Sequence, residues 1–321
     1  LKVVINGTQA LTIAGDIVFN KENAGNATAV LNVNSSAAVT LGNVNTQDDE
    51  VIGLSVDNAG TGTLSFTVDA ANIDSTDALT FTGGNIALTV AGAVNLSDDT
   101  ITGVSTVKVV ESGALTLSYT QLQSLGAANV TVIDGTDGGT AIGAATLVIN
   151  GYDGGAFNAT ALDAHFTTVN LELADQDVTL AAGVNLTNVD QIVVQEGRSL
   201  TLTAAQFKQL QGAGTIVTVD TNGDSTVEPI RVFITDLTQA DITSGGELLD
   251  LGAITGVAVV NLALATTATT VEFGTIAGTT FTSAVLGNAS ITMTADNQMV
   301  GFVTAASASD RTVNTAAGVD K

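Results

Sequence analysis

Residues 89–134 and 179–220 carry one pattern twice, and this repetition constrains the fold more than any other feature of the chain. Asn95-Leu96-Ser97 falls on Asn185-Leu186-Thr187, Glu111 on Glu196, and Leu115-Thr116-Leu117 on Leu200-Thr201-Leu202. Gln121 falls on Gln206, Leu125 on Leu210 and Asp134 on Asp220, with two small gaps placed where Asp, Gly or Asn mark a loop. Each copy reads strand, turn, strand, short helical turn, strand. A unit of that size cannot bury an apolar face alone, so it must stack on its neighbours.

The rest of the chain uses the same vocabulary. Runs of Val, Ile, Leu and Thr predict strands over 29–33, 64–68, 86–90, 107–110, 129–133, 145–149, 192–194, 216–219, 231–234, 257–264 and 290–294. Helical periodicity is confined to two single-turn pieces, 120–125 and 204–210, at equivalent places in the repeat. The dipeptides that favour tight antiparallel hairpins are sparse: Asn6-Gly7, Asp134-Gly135, Asn150-Gly151, Asp153-Gly154 and Asn222-Gly223. The expectation is therefore all-β, a parallel β-solenoid-like stack of short strands with Asp/Gly-rich loops; tandem β-sandwich domains are the alternative. Residues 1–245 read as the solenoid body. Residues 246–321 lose the repeat and most of the charge, and read as a terminal β module suited to assembly.

Composition narrows the function classes. Eight Lys and Arg, scattered along the chain against 32 Asp and Glu, give a net charge of -24 and cannot form a phosphate-neutralising stripe, which excludes nucleic acid as a partner. With 45% hydrophobic residues the chain is too apolar to remain disordered. The uncharged stretch between Asp250 and Glu272 has bilayer length, but its threonines and its bounded run at 257–265 read as a buried strand, so no transmembrane segment is expected. A membrane barrel needs aromatic girdles, and only 4% of residues are aromatic. Leu1 in place of Met, with no basic and then apolar leader behind it, is the start expected of a processed or excised piece.

Catalysis finds little to work with. There is no cysteine, one histidine (His165), no Gly-x-Ser-x-Gly elbow and no phosphate-binding Gly-x-x-x-x-Gly-Lys, so no enzyme is expected and His165 is read as structural or surface. The acids gather instead in loops. Asp220, Asn222, Asp224, Thr226 and Glu228 offer oxygen ligands at alternate positions, the spacing with which a loop wraps one hard cation. Asp134 and Asp137 occupy the equivalent junction after the first copy, in an Asp-Gly-Thr-Asp-Gly-Gly run. Weaker clusters are 48–50, Asp74 with Asp77, Asp98-Asp99, Asp153, and Asp175 with Asp177. Ca2+ is the expected cofactor, neutralising a strongly self-repelling chain. Eight Asn-x-Ser/Thr sequons begin at Asn6, Asn26, Asn34, Asn95, Asn129, Asn158, Asn185 and Asn288; their spacing alone does not argue for sugar attachment.

The doubled Leu-Thr-Leu-Thr/Ser followed by a Gln-x-x-x-Leu turn (115–125 and 200–210), the Asp-Gly loops, the absence of Cys and the scarcity of Lys resemble bacterial surface-layer proteins and related large secreted repeat adhesins. The resemblance implies an extracellular, cell-surface structural protein, stabilised by Ca2+, that forms or decorates a self-assembled lattice. Self-association is the expected partnership, with cell-surface polysaccharide beside it. A passenger stalk is the alternative, and a polysaccharide-processing β-helix enzyme a third reading.

Overall fold

In a strand, successive side chains point to opposite faces, so a chain of short alternating segments can put one face inward on every rung. The computed structural model describes residues 2–19, 27–46, 51–70, 78–134, 143–210, 215–221, 223, 228, 230–237, 258–264, 270–273, 281–286, 290–293, 302–304 and 313–315. Two compact units are present, one of Leu1–Asn150 with Ala161–Val169, the other of Gly151–Thr160 with Asn170–Lys321.

The first unit opens with β1 (Lys2–Gly7), β2 (Leu11–Ile13), β3 (Ile17–Val18), β4 (Ala27–Ser35), β5 (Val39–Asn45), β6 (Val51–Asn58) and β7 (Leu64–Asp69). It continues through β8 (Ala78–Gly83), β9 (Ile86–Ala91), β10 (Ala93–Asn95), β11 (Val104–Val110), β12 (Ala114–Ser118), α1 (Tyr119–Leu125), β13 (Val130–Ile133) and β14 (Ala145–Tyr152). Its strands run β1-β4-β6-β8 in one sheet and β13-β11-β9-β7-β5-β2 in a second, with β3 also beside β5, and β10-β12-β14 lie together in a third.

The second unit takes up the later half of β15 (Phe166–Leu173), then β16 (Val178–Thr179), β17 (Gln191–Gln195), β18 (Ser199–Thr203), α2 (Ala204–Leu210), β19 (Thr215–Val219) and β20 (Ile230–Leu237). After them come β21 (Ala258–Leu264), β22 (Thr270–Phe273), β23 (Phe281–Leu286), β24 (Ser290–Met293), β25 (Phe302–Thr304) and β26 (Val313–Thr315). Here β15-β17-β19, β16-β18-β20-β21-β23-β25 and β22-β24-β26 are the neighbours.

Strand pairs within each unit are parallel, and Cα partners stand 18 to 32 residues apart along the chain. That pattern is a β-solenoid. It overturns the sandwich alternative, which needs antiparallel neighbours. The boundary drawn at 245/246 falls outside the described residues; β21, β23 and β25 extend the sheet that contains β20.

Register builds the core as ladders. Leu64 lies opposite Ile86, Phe66 opposite Leu88 and Val68 opposite Val90, and all six are buried while the intervening Ser65, Thr67 and Thr89 are half-exposed. Parallel sheets covered on both sides read as continuous apolar runs; alternation here shows an inner face against the core and an outer face against water. Each such buried side chain contributes about 1.5–3 kcal/mol. Phe66 also meets Phe81 of β8 with ring centroids 5.7 Å apart, tying two sheets across the interior. The turns stack as closely as the strands. Gly83 sits at φ +85° where an added Cβ would lie 2.2 Å from the Asn58 carbonyl oxygen, and the buried Asn58 amide donates to the carbonyls of Gly62 and Gly84.

Candidate functional site

The two repeat copies fold alike, and their likeness is polar. Ser118 caps α1 by accepting from the Gln121 N–H at 3.2 Å, while Gln121 Oε1 accepts from the Ser118 N–H at 2.7 Å, a reciprocal capping box. In the second copy Thr203 Oγ1 accepts from the Gln206 N–H at 3.2 Å and Gln206 Oε1 accepts from the Thr203 N–H at 2.9 Å. Both glutamines are buried, and both turn the amide Nε2 to the preceding corner. Gln121 donates to Leu96 O and Asp99 O, and Gln206 to Ala181 O. The sequence aligned these residues without revealing that carbonyls some 25 residues earlier are their partners.

Glu111 and Glu196 are the second shared device. Glu111 N–H donates to Ile133 O and Glu196 N–H to Val219 O, so each glutamate stands on the rung leading into Asp134 or Asp220. Glu196 is buried. Its Oε1 accepts from the Thr221 N–H at 3.1 Å and its Oε2 from the Glu228 N–H at 3.4 Å, so one carboxylate grips both ends of the acidic loop 221–228. Glu111 Oε2 accepts from the Gly143 N–H at 2.8 Å, at the far end of the loop that follows Asp134. These glutamates hold the described ends of the two loops. Equivalence in the repeat was the signal that could have found them.

Of the expected cation ligands, Asp134, Asp220 and Glu228 are described; Asn222, Asp224, Thr226 and Asp137 lie outside the described residues. Asp220 Oδ1 accepts from the Gly223 N–H at 2.7 Å, closing a turn through Gly223 at φ +73°. Asp220 and Glu228 supply carboxylate oxygens only, a donor chemistry that suits a hard cation. Among the described residues, no group of three or more acids or histidines is gathered closely enough to hold a metal ion.

The weaker acidic clusters have backbone work. Asp153 Oδ1 accepts from the Gly155 N–H and Asp177 Oδ1 from the Ser199 N–H, both at 2.9 Å. Asp175 pairs with Arg198 at 2.8 Å on the exposed surface, and this hydrogen bond raises the guanidinium pKa. Asp99 Oδ1 accepts from the Leu79 N–H at 2.8 Å; burial pushes its pKa up, against that hydrogen bond and with the help of neighbouring Asp98. Positions 48–50, 74 and 77 lie outside the described residues.

His165 belongs to a clasp. Asp163 Oδ1 lies 2.8 Å from His165 Nδ1 and accepts from the His165 N–H, while Oδ2 accepts from the Val132 N–H at 3.1 Å. Burial acts to raise the Asp163 pKa, but these hydrogen bonds together outweigh it and lower it.

Fold and repeat together define the chain as a β-solenoid repeat protein. No protein-family model, curated protein or solved structure matches it. No helix among the described residues is long and apolar enough to cross a membrane.

Proposed function

We propose that this is an extracellular structural protein of a cell surface, a β-solenoid that self-associates into or onto a lattice, with Ca2+ held in its acidic loops. The observation that carries this reading is the device shared by the two repeat copies: the buried Glu196 carboxylate accepts from the Thr221 and Glu228 N–H groups and Glu111 from the Gly143 N–H, so carboxylates of the repeat frame hold the described ends of both acidic loops. Like charge opposes association of bodies carrying -24 each, and divalent cations in loops such as 220–228 relieve it.

The test is a thermal melt with parallel negative-stain imaging, in excess chelator and then with millimolar Ca2+ restored. Calcium is expected to raise the melting temperature by several degrees and to bring out sheets or filaments, since a ligand that binds only the native state stabilises it by mass action. Glu196→Gln, which keeps one acceptor oxygen for the loop, is expected to weaken that calcium response while leaving the chelated protein folded. An unmoved melt with a monomeric particle would overturn both the lattice and the ligand set, and favour a stalk.

A further inference from the structure

Three of the eight sequons share one conformation. In Asn95-Leu96-Ser97, Asn158-Ala159-Thr160 and Asn185-Leu186-Thr187 the central residue is a core residue: Leu96 and Leu186 are fully buried and Ala159 nearly so. Alternation along the chain then turns the flanking Asn and hydroxyl residue outward together. In each, Asn Oδ1 accepts the N–H of the residue two positions on, at 2.9 Å to Ser97, 3.2 Å to Thr160 and 2.9 Å to Thr187. This turn occupies Oδ1 and leaves Nδ2 with no hydrogen bond among the described residues. Asn158 goes further. Thr160 Oγ1 donates to its Oδ1 at 2.7 Å, and both Asn158 and Thr160 are exposed. Asn158 and Asn185 are parallel bridge partners, so two of these turns stand one above the other on successive coils.

The other sequons differ. Asn129 donates Nδ2 to Leu125 O at 2.7 Å, which ties up the nitrogen that would be modified. Asn6 and Asn34 form no such turn; the Ser36 N–H, two residues after Asn34, donates to Gly7 O instead. Asn26 and Asn288 lie outside the described residues.

We infer that the folded chain accepts N-linked glycans at Asn158 first and at Asn95 and Asn185 next, with Asn129 disfavoured. The donor class is a polyprenyl-diphosphate-linked oligosaccharide. Nδ2 forms a bond to the sugar C1, the C1–O bond to the diphosphate breaks, the polyprenyl diphosphate leaves, and the Nδ2 proton passes to a base of the transferase. In the cell the inference rests on the extracellular reading, because such transfer takes place on the outer side of a membrane; in a purified reaction it does not.

The experiment incubates the purified full chain, folded and without calcium, with a single-subunit oligosaccharyltransferase and its lipid-linked donor, after the enzyme has been shown active on a short Asn-Ala-Thr peptide. Peptide mass mapping over time is expected to show glycan at Asn158 earliest, with an initial rate about tenfold above Asn129, the ratio set by one ordinary hydrogen bond that must first break. Asn158→Gln removes that glycan and leaves the other two. Thr160→Ala abolishes it while circular dichroism and the melt stay unchanged, and Thr160→Ser restores it at a lower rate. A native chain that stays unmodified while the denatured chain is modified would overturn the inference, as would Asn129 reacting as fast as Asn158. A glycan pattern as expected on a chain that ignores calcium and never assembles would leave the glycan sites standing and remove only the lattice.

Discussion

The two repeat copies agree in their polar frame and differ in what fills it. Both have a hydroxyl cap, a buried glutamine and a loop-gripping glutamate at equivalent places. Inside the helical turn, by contrast, the first copy puts Tyr119 and Leu122 against the core and the second puts Ala204 and Phe207 there. The aromatic bulk has moved from the first helical position to the fourth. A core accepts such an exchange when volume is conserved, whereas an orphaned carbonyl has no substitute partner. Divergence between the copies has followed that asymmetry.

The largest effect expected from breaking the shared frame is at the glutamines. Gln206→Ala strips the acceptor of the Thr203 N–H and the donor to Ala181 O, and is expected to cost about 2–4 kcal/mol in urea unfolding. Gln121→Ala should cost more than Gln206→Ala, because its Nε2 serves two carbonyls. Equal, small losses would mean that the frame is not what the copies preserve.

The filling should behave differently. Phe207→Leu leaves a cavity and Ala204→Tyr overpacks, each costing about 1–3 kcal/mol, but the double change reproduces the first copy's arrangement and should recover most of the loss. A double variant no better than the sum of the singles would show that the two pockets are not equivalent.

The smallest effect is in pH. Burial raises the pKa values of Asp99 and Glu172, so ionising them costs stability, and that cost fades as pH falls through their raised folded values. Asp163 works in the opposite sense: its lowered pKa contributes stability in full above the ordinary carboxylate value of 3.8, lost as pH falls below it. The melting temperature should therefore rise modestly as pH falls from neutral through these raised values, then fall once pH passes below the ordinary carboxylate value of 3.8. Asp99→Asn retains an acceptor for the Leu79 N–H and should flatten the rise, shifting stability at pH 7 by less than about 1 kcal/mol.

Much of this architecture was legible beforehand. Strands expected at 64–68, 86–90 and 192–194 appear as β7, β9 and β17, and the helical turns at 120–125 and 204–210 as α1 and α2, because alternation and a capping signature are local properties. The parallel sense also followed, from the scarcity of hairpin dipeptides. What stayed hidden depends on register. Nothing near Glu196 in the sequence says that its carboxylate will meet N–H groups 25 and 32 residues later, or that Asp163 will reach Val132. The acids of 220–228 looked alike as ligands, yet Asp220 bonds to the Gly223 N–H and the Glu228 N–H is bound by Glu196.

The spacing of 18 to 32 residues between strand partners also sets an order in time. Among the described strands none has to wait for a distant segment; each needs only the coil just finished, which presents a ready template for it. Folding can then advance as a zipper from a nucleated coil, with loop-closure entropy met in small equal steps. A chain organised in this way can regain its shape coil by coil, in the order in which its residues become available.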